Sequence, residues 1–230
     1  MAEATQAIIV GSSGGIGRAL FDGLSASGRY DQVTGLSRTG KPPLDLTNET
    51  SVVDAIETIA PLGAIRLVIV ATGLLHDGTI APEKSNRQLS VDALARSFAI
   101  NTIGPALVLK HILPLLPRSG RSLVIVLSAK VGSIGDNRLG GWHSYRASKA
   151  ALNQIVRTCA IELGRTHKEA VLVAMHPGTV DTPLSRPFSR AGLDVQTPEE
   201  AASAILGGLD KLRVADSGGF FDRTGMRLPY

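Results

Sequence analysis

The chain is short of the residues that staple or anchor a protein. Its 230 residues include one cysteine, Cys159, which excludes an internal disulfide framework and any zinc site of the multi-cysteine type. Aromatic residues make up only 4%. The histidines at 76, 111, 143 and 167 stand at no metal-ligand spacing from one another or from carboxylates, so no metal is expected. Basic residues exceed acidic ones by 24 to 20, a net charge of +4, yet no three follow one another and arginines do not alternate with aromatics. A nucleic-acid partner is therefore not expected. The longest continuous apolar runs, 67–71 and 170–175, fall far short of the roughly 20 residues that cross a bilayer. Residues 1–5 show no basic region leading into an apolar one, the mark of a secretory signal. These absences lead to the expectation of a soluble, cytoplasmic protein without a membrane partner.

What is present is core-forming material: 43% hydrophobic residues, 19% charged and 25 glycines, a balance that fits neither a disordered chain nor a coiled coil. The length suits one domain over 1–230. Short, almost continuously apolar runs at 6–10, 32–37, 66–71, 123–128 and 171–176 predict strands, with a last short one at 219–221. Amphipathic stretches at 15–27, 48–60, 90–116, 144–163 and 198–209 predict helices, Pro105 marking a late start and Pro114 a kink or end within the third. Alternation of the two predicts an α/β fold: a single doubly wound, Rossmann-type parallel sheet with helices on both faces. Ligands of such sheets bind beyond the carboxyl ends of the strands, so the residues following each strand are the place to look for chemistry.

The first strand runs into Gly11-Ser12-Ser13-Gly14-Gly15-Ile16-Gly17 and then a helix. Glycines there permit positive φ and a close backbone approach, while free N–H groups and the helix dipole attract phosphate. This is a dinucleotide cradle. At the second strand's end an NAD site usually carries a carboxylate, but this chain has Ser37-Arg38, with Lys41 nearby. A carboxylate would repel a ribose 2′-phosphate, whereas a guanidinium binds it. NADP(H) is therefore the favoured cofactor, NAD(H) remaining possible. Further on, Tyr145 and Lys149 stand four apart at the start of a helical stretch, so they share a face. A phenol with an ordinary pKa of about 10 becomes a usable acid–base when a neighbouring ammonium stabilises its anion, and the expected pKa shift is downward.

The spacing Gly11-x-x-x-Gly15-x-Gly17, together with Tyr145-x-x-x-Lys149, resembles the short-chain dehydrogenase/reductase family, with Val10 where that family usually has Thr. The resemblance implies a hydride-transfer enzyme acting on a carbonyl or alcohol, with these roles for particular residues. Tyr145 is the general acid, Lys149 its partner and ribose ligand, and Asn101, in Asn101-Thr102-Ile103-Gly104, helps hold a water in a relay to Lys149. The catalytic serine falls at Ser128, with Ser133 as second choice; Ser128 lies 17 residues before Tyr145, a long spacing attributed to an enlarged loop at 134–143. Cofactor contacts fall on Gly11, Ser13, Gly15, Ile16, Gly17, Ser37, Arg38, Asp45 and Leu46. Ala71 and Gly73 occupy the family's Asn-Asn-Ala-Gly position after its fourth strand. Pro177, Gly178, Val180 and Thr182 correspond to the Pro-Gly segment beside the nicotinamide. His176 reads as a strand-end residue. Residues 182–195, with Pro183, Pro187 and Gly192, are expected to cover the substrate, Arg186 and Arg190 being solvated. Within the family, 128–153 is most similar to the C-factor-like and sniffer-type carbonyl reductases. The stretches 101–116 and 144–163 carry the apolar excess of a homodimer or homotetramer interface. A signalling or sensing protein that binds NADP(H) with little turnover is the alternative.

Overall fold

The structure, a computed structural model, describes residues 3–188 and 194–230. Its centre is a six-stranded, all-parallel sheet in the order β2-β1-β3-β4-β5-β8. The strands are β1 (Thr5–Val10), β2 (Gln32–Leu36), β3 (Ala64–Val70), β4 (Ser122–Leu127), β5 (Ala170–His176) and β8 (Phe220–Asp222), and β6 (Thr179–Val180) pairs with β7 (Val195–Gln196) in a small sheet of its own. The helices are α1 (Gly15–Ser27), α2 (Glu49–Ile59), α3 (Val91–Phe98), α4 (Gly104–Ile112), α5 (His143–Thr166) and α6 (Pro198–Leu209).

Two-residue periodicity makes the continuously apolar strands serve two cores. Ile8, Val10, Val68, Val70, Val124, Val126, Leu172 and Ala174 pack with α2, α4 and α5. Their alternates Ala7, Ile9, Leu67, Ile69, Leu123, Ile125, Val171 and Val173 pack with α1 and α6. Each fully buried Val or Ile contributes about 1.5–3 kcal/mol, so a polar residue at any of these positions would strike one core or the other. The chain winds outward from β1 to β2 and then returns to β3, which creates a crevice between the β1 and β3 ends.

Helix starts follow local capping chemistry where no site is involved. Asn48 accepts from Ser51 N, Ser90 accepts from Ala93 N, and Thr197 forms a reciprocal capping box with Glu200. By contrast, α1 and α5 have no side-chain cap from the preceding residue. Both open onto the cleft described below.

The stretch expected at 90–116 differs from its prediction at Pro105. The proline does mark a start, in the first turn of α4, but helix precedes it: α3 runs into α4 through a π-turn, Ala99–Ile103, in which Gly104 N–H donates to Ala99 O. The wider turn absorbs a residue that has no N–H to give to the carbonyl of Asn101. Pro114 falls in a closing 3-10 turn, Leu113–Leu115, as an end. Taken whole, Val91–Leu115 is long and apolar enough to cross a membrane by composition, although no continuous apolar run reveals this. One face of it packs into the core, burying Asn101, Thr102, Pro105, Val108, Leu109 and Ile112. The third strand implied by the family count is reduced to a single bridge between Ser37 and Pro43.

Candidate active site

Three connected cavities, of about 380, 740 and 640 Å³, run along the carboxyl ends of the strands. The first is bounded by the β1–α1 turn, Ser37, Arg38, Asp45 and Leu46. The second shares its glycine and Arg38 walls and continues to Tyr145, Lys149, Pro177 and Thr182. The third shares Ser128, Tyr145, Pro177 and Thr182 and opens among Leu75, Trp142, Leu184 and Phe188.

The glycine turn is fixed by steric exclusion. Gly11 has φ +92°, and a Cβ there would meet Ala71 O at 2.9 Å; a Cβ on Gly17 would lie 2.1 Å from Gly11 O. Gly17 is not on the walls of these three cavities, and the lack of a side chain lets α1 approach the turn. The first turn of α1 carries no acidic residue, so its free N–H groups face the cleft unopposed. Thr72 Oγ1 beside it is buried without a hydrogen-bond partner. An uncapped helix start, a cradle that a side chain would fill and an orphaned hydroxyl together fit a pyrophosphate-bearing cofactor.

On the wall of the first cavity Arg38 is exposed and makes no ion pair among the described residues. Asp45 lines the same cavity, but Thr47 N–H and Thr47 Oγ1 donate to its carboxylate at 2.9 and 2.7 Å. Those bonds, with Arg38 and Arg96 nearby, hold its pKa below the usual range. Arg96, which the sequence does not single out, lines this cavity and pairs with Asp77 at 3.2 Å. Hydrogen bonds from Thr79, Ile80 and Arg96 hold the Asp77 carboxyl down at about 2.

At the other end, the helical spacing brings Tyr145 and Lys149 together as expected, with Lys149 Nζ 6.0 Å from the ring centre. Lys149 Nζ donates to Leu127 O at 3.0 Å. Their titration runs against the expectation. Burial pushes the Tyr145 phenol up to about 12 and the Lys149 ammonium down to about 8. Desolvation therefore outweighs the attraction of one ammonium for a phenolate in the protein alone.

Ser128 lines the second and third cavities with Tyr145, whereas Ser133 is buried and accepts from Asp136 N–H. Between the 3-10 turn Lys130–Gly132 and α5, which begins at His143, residues 133–142 form a loop. Asn101 is buried, but its amide is taken up by Leu74 N–H and C=O and by Ser148 Oγ. Pro105, four residues on, has no N–H to give to the Asn101 backbone carbonyl. Gly178 and Val180 line the third cavity. His176 lines it too, and burial, then Arg223 and Lys130, depress its pKa to about 4, leaving a neutral ring whose Nδ1 has no partner. Arg186 pairs with Asp181 at 2.8 Å, both exposed, as a solvated loop charge; Arg190 and Gly192 lie outside the described residues.

The profile of the short chain dehydrogenase family matches residues 5–191. The chain belongs to that family. It is 30% identical over 217 residues, 94% of this chain and 88% of the relative, to 1-hydroxy-2-glutathionyl-2-methyl-3-butene dehydrogenase of Rhodococcus sp. strain AD45. It is 35% identical over 138 residues, 60% of this chain and 78% of the relative, to the C-signal protein of Myxococcus xanthus. In fold it matches NADPH-bound carbonyl reductase from chicken fatty liver (TM-score 0.85, 24% identity) and the carbonyl reductase Sniffer of D. melanogaster (0.83, 21%), both over the full length of each chain. C-factor-like and sniffer-type proteins are thus among those it resembles in sequence or fold.

Against the family motifs, one feature of this member has no sequence signature. The buried carboxylate of Glu83 accepts from Ser144 N–H and Ser144 Oγ, and its backbone carbonyl accepts from Trp142 N–H. Burial raises its pKa, but the bonds from Ser144 outweigh this and it ends below the ordinary value. Glu83 so replaces a local cap on α5. It also pins Trp142, held at φ 54°, where its ring meets Tyr145 and Phe188 edge-on at 6.3 and 5.5 Å. Nothing in residues 77–84 marks that long-range partner in advance.

Proposed function

We propose that the protein is an NADP(H)-dependent carbonyl reductase. The observation that carries this reading is the shared wall: Tyr145 and Ser128 line both the cofactor-side cavity and the largely apolar one beyond it. The cofactor assignment is supported by the unpaired Arg38 and by the bound NADPH of the chicken enzyme. When bound, the reduced nicotinamide supplies the hydride to the carbonyl carbon. The Tyr145 hydroxyl, fully protonated at neutral pH, donates its proton to the carbonyl oxygen. Ser128 hydrogen-bonds that oxygen as its charge develops, and protonated Lys149 favours the phenolate left behind. Asn101 contributes its backbone carbonyl to a water that returns the proton toward Lys149. Pro177, Gly178 and Thr182 orient the nicotinamide. The substrate is a small carbonyl compound with an apolar body, suited to Leu75, Leu184 and Phe188. A homodimer or homotetramer belongs to the same proposal, supported by Ile103 on the π-turn and Ile161 on α5, each 53% exposed.

The test is a panel of aldehydes, ketones and quinones assayed with NADPH and with NADH. NADPH is expected to bind more tightly, and Arg38→Ala to remove most of the difference. Because Arg38 is exposed and screened by salt, the gap is expected near the lower end of a charged hydrogen bond, about tenfold. Quenching of Trp142, the single tryptophan, reports the binding. Equal dissociation constants in the unmodified protein would remove the NADP(H) assignment.

The pH profile has a definite sign. Lys149, with its pKa lowered to about 8, carries its proton below that value and loses it as pH rises. The rate of reduction is therefore expected to hold level below pH 8 and fall above it, the bound phosphates moving the fall upward. A rate that climbs through pH 8–10 would contradict the role given to Lys149.

A further inference from the structure

Ser128 is bonded to a residue that the reaction scheme above does not use. Its Oγ donates to Asn153 Oδ1 at 2.7 Å, and the two side chains are 3% and 2% exposed. A serine hydroxyl has one proton. While that proton is committed to Asn153, Ser128 offers only lone pairs to the cavity, and a carbonyl oxygen needs a donor. The counterpart is held by the same amide: Asn153 Nδ2 is buried and has no hydrogen-bond partner among the described residues. A half-turn about the Cβ–Cγ bond exchanges the two atoms. Nδ2 then donates to Ser128 Oγ, and the serine proton is released to the cavity. Either arrangement leaves one amide atom unpaired, so the count of internal bonds favours neither. An accepting oxygen beside Tyr145 adds a hydrogen bond only to the second.

We propose that Asn153 is a positioning residue that directs the Ser128 proton, accepting it in the free protein and donating to Ser128 Oγ when a carbonyl oxygen is bound. The proposal rests on the reductase reading, since the carbonyl is what makes a donor necessary. The placement fits this role, since Tyr145, Lys149 and Asn153 follow one another at four-residue intervals on one face of α5. The helix that carries the acid thereby also carries the residue that aims the serine.

Asn153→Asp is the discriminating variant, because it keeps the shape and removes the amide donor. An ionised Asp can only accept, so it traps the serine proton; a protonated one can donate again. The charged and titratable groups around it are Lys149 and Arg157, one turn away on either side of α5, and Tyr230, which lines an outer cavity with Asn153 and Arg157. On the Ser128 side stand Tyr145, Arg146, Arg138, neutral His176 and the Lys130–Asp136 pair. The readout is therefore the direction of the pH dependence relative to the unmodified protein.

Unmodified protein, Ser128→Ala, Asn153→Asp and Asn153→Ala are assayed side by side for NADPH binding and for kcat from pH 5 to 9. Expected are unchanged NADPH binding, and an Asn153→Asp kcat that falls with rising pH to roughly a hundredth of the unmodified value, the loss typical of one oxyanion donor. Asn153→Ala, which leaves the serine proton free but unaimed, is expected to lose only about tenfold, equally at every pH. An Asn153→Asp variant that tracks Asn153→Ala throughout would overturn the proposal, as would two Asn153 variants with normal kcat beside an impaired Ser128→Ala. If Asn153→Asp no longer binds NADPH, the alanine variant decides, and a normal kcat there overturns the proposal. If Ser128→Ala matches the unmodified protein, the serine's part in the reductase reading fails first, and the role of Asn153 falls with it.

Discussion

Tyr145→Phe is expected to lower kcat for carbonyl reduction by roughly a thousandfold, within the range that a positioned general acid contributes. The same variant should bind NADPH within about twofold of the unmodified protein, since one hydroxyl with no partner among the described residues is removed and nothing is left unsatisfied. The phenyl ring keeps its edge contact with Trp142 and its place over Lys149. Stopped-flow oxidation of NADPH with a carbonyl substrate, alongside Trp142 quenching, measures both quantities. The variant also separates the two functional readings. A cofactor-sensing protein with little turnover would retain its biological activity when Tyr145 becomes Phe, and a reductase would lose it.

Gly17→Ala, by contrast, should damage cofactor binding itself. Its new Cβ would sit 2.1 Å from Gly11 O and 2.8 Å from Gly11 C. Both neighbours are backbone, so the turn itself must open. Overpacking of this kind costs about 1–3 kcal/mol, and if that cost falls on the cofactor-binding shape, NADPH affinity drops about ten- to a hundredfold. Gly207→Ala on α6 is the control, since a Cβ there meets nothing within 4 Å. It should stabilise by up to about 1 kcal/mol through helix propensity and leave binding alone. Thermal melts with and without NADPH report both effects. Normal NADPH affinity in Gly17→Ala would show that the close approach of α1 is dispensable.

The legible parts of the molecule are those in which neighbours in sequence are neighbours in space. The strands announce themselves by almost continuously apolar runs, and α1 and α6 are bounded correctly because a glycine turn and a proline start are local signals. Tyr145 and Lys149 are readable because a helix brings residues four apart together. Glu83 is not, since it caps α5 from 61 residues away. Asn153 likewise means nothing until Ser128, 25 residues earlier, is brought beside it by the packing of α5 on the sheet. Pro105 signals the start of α4 but not the helix before it, because the proline rule describes α-helices and the chain continues α3 into α4 through a π-turn. The acidity of Tyr145 escapes the sequence for a related reason: spacing gives proximity to Lys149, while burial, which dominates, depends on everything else packed around it.

The strand order has a consequence for how such an enzyme can change. Arg38 follows β2 at one edge of the sheet, whereas the proposed substrate wall at Leu184 and Phe188 belongs to the loop after β5 and β6. Four strand spacings lie between β2 and β5, roughly 19 Å at 4.8 Å each. Substitutions so far apart, with no shared partner, are expected to combine additively in free energy. Coenzyme preference and substrate range can therefore drift separately, and a lineage can trade one nucleotide for the other without first rebuilding the pocket in which its substrate reacts.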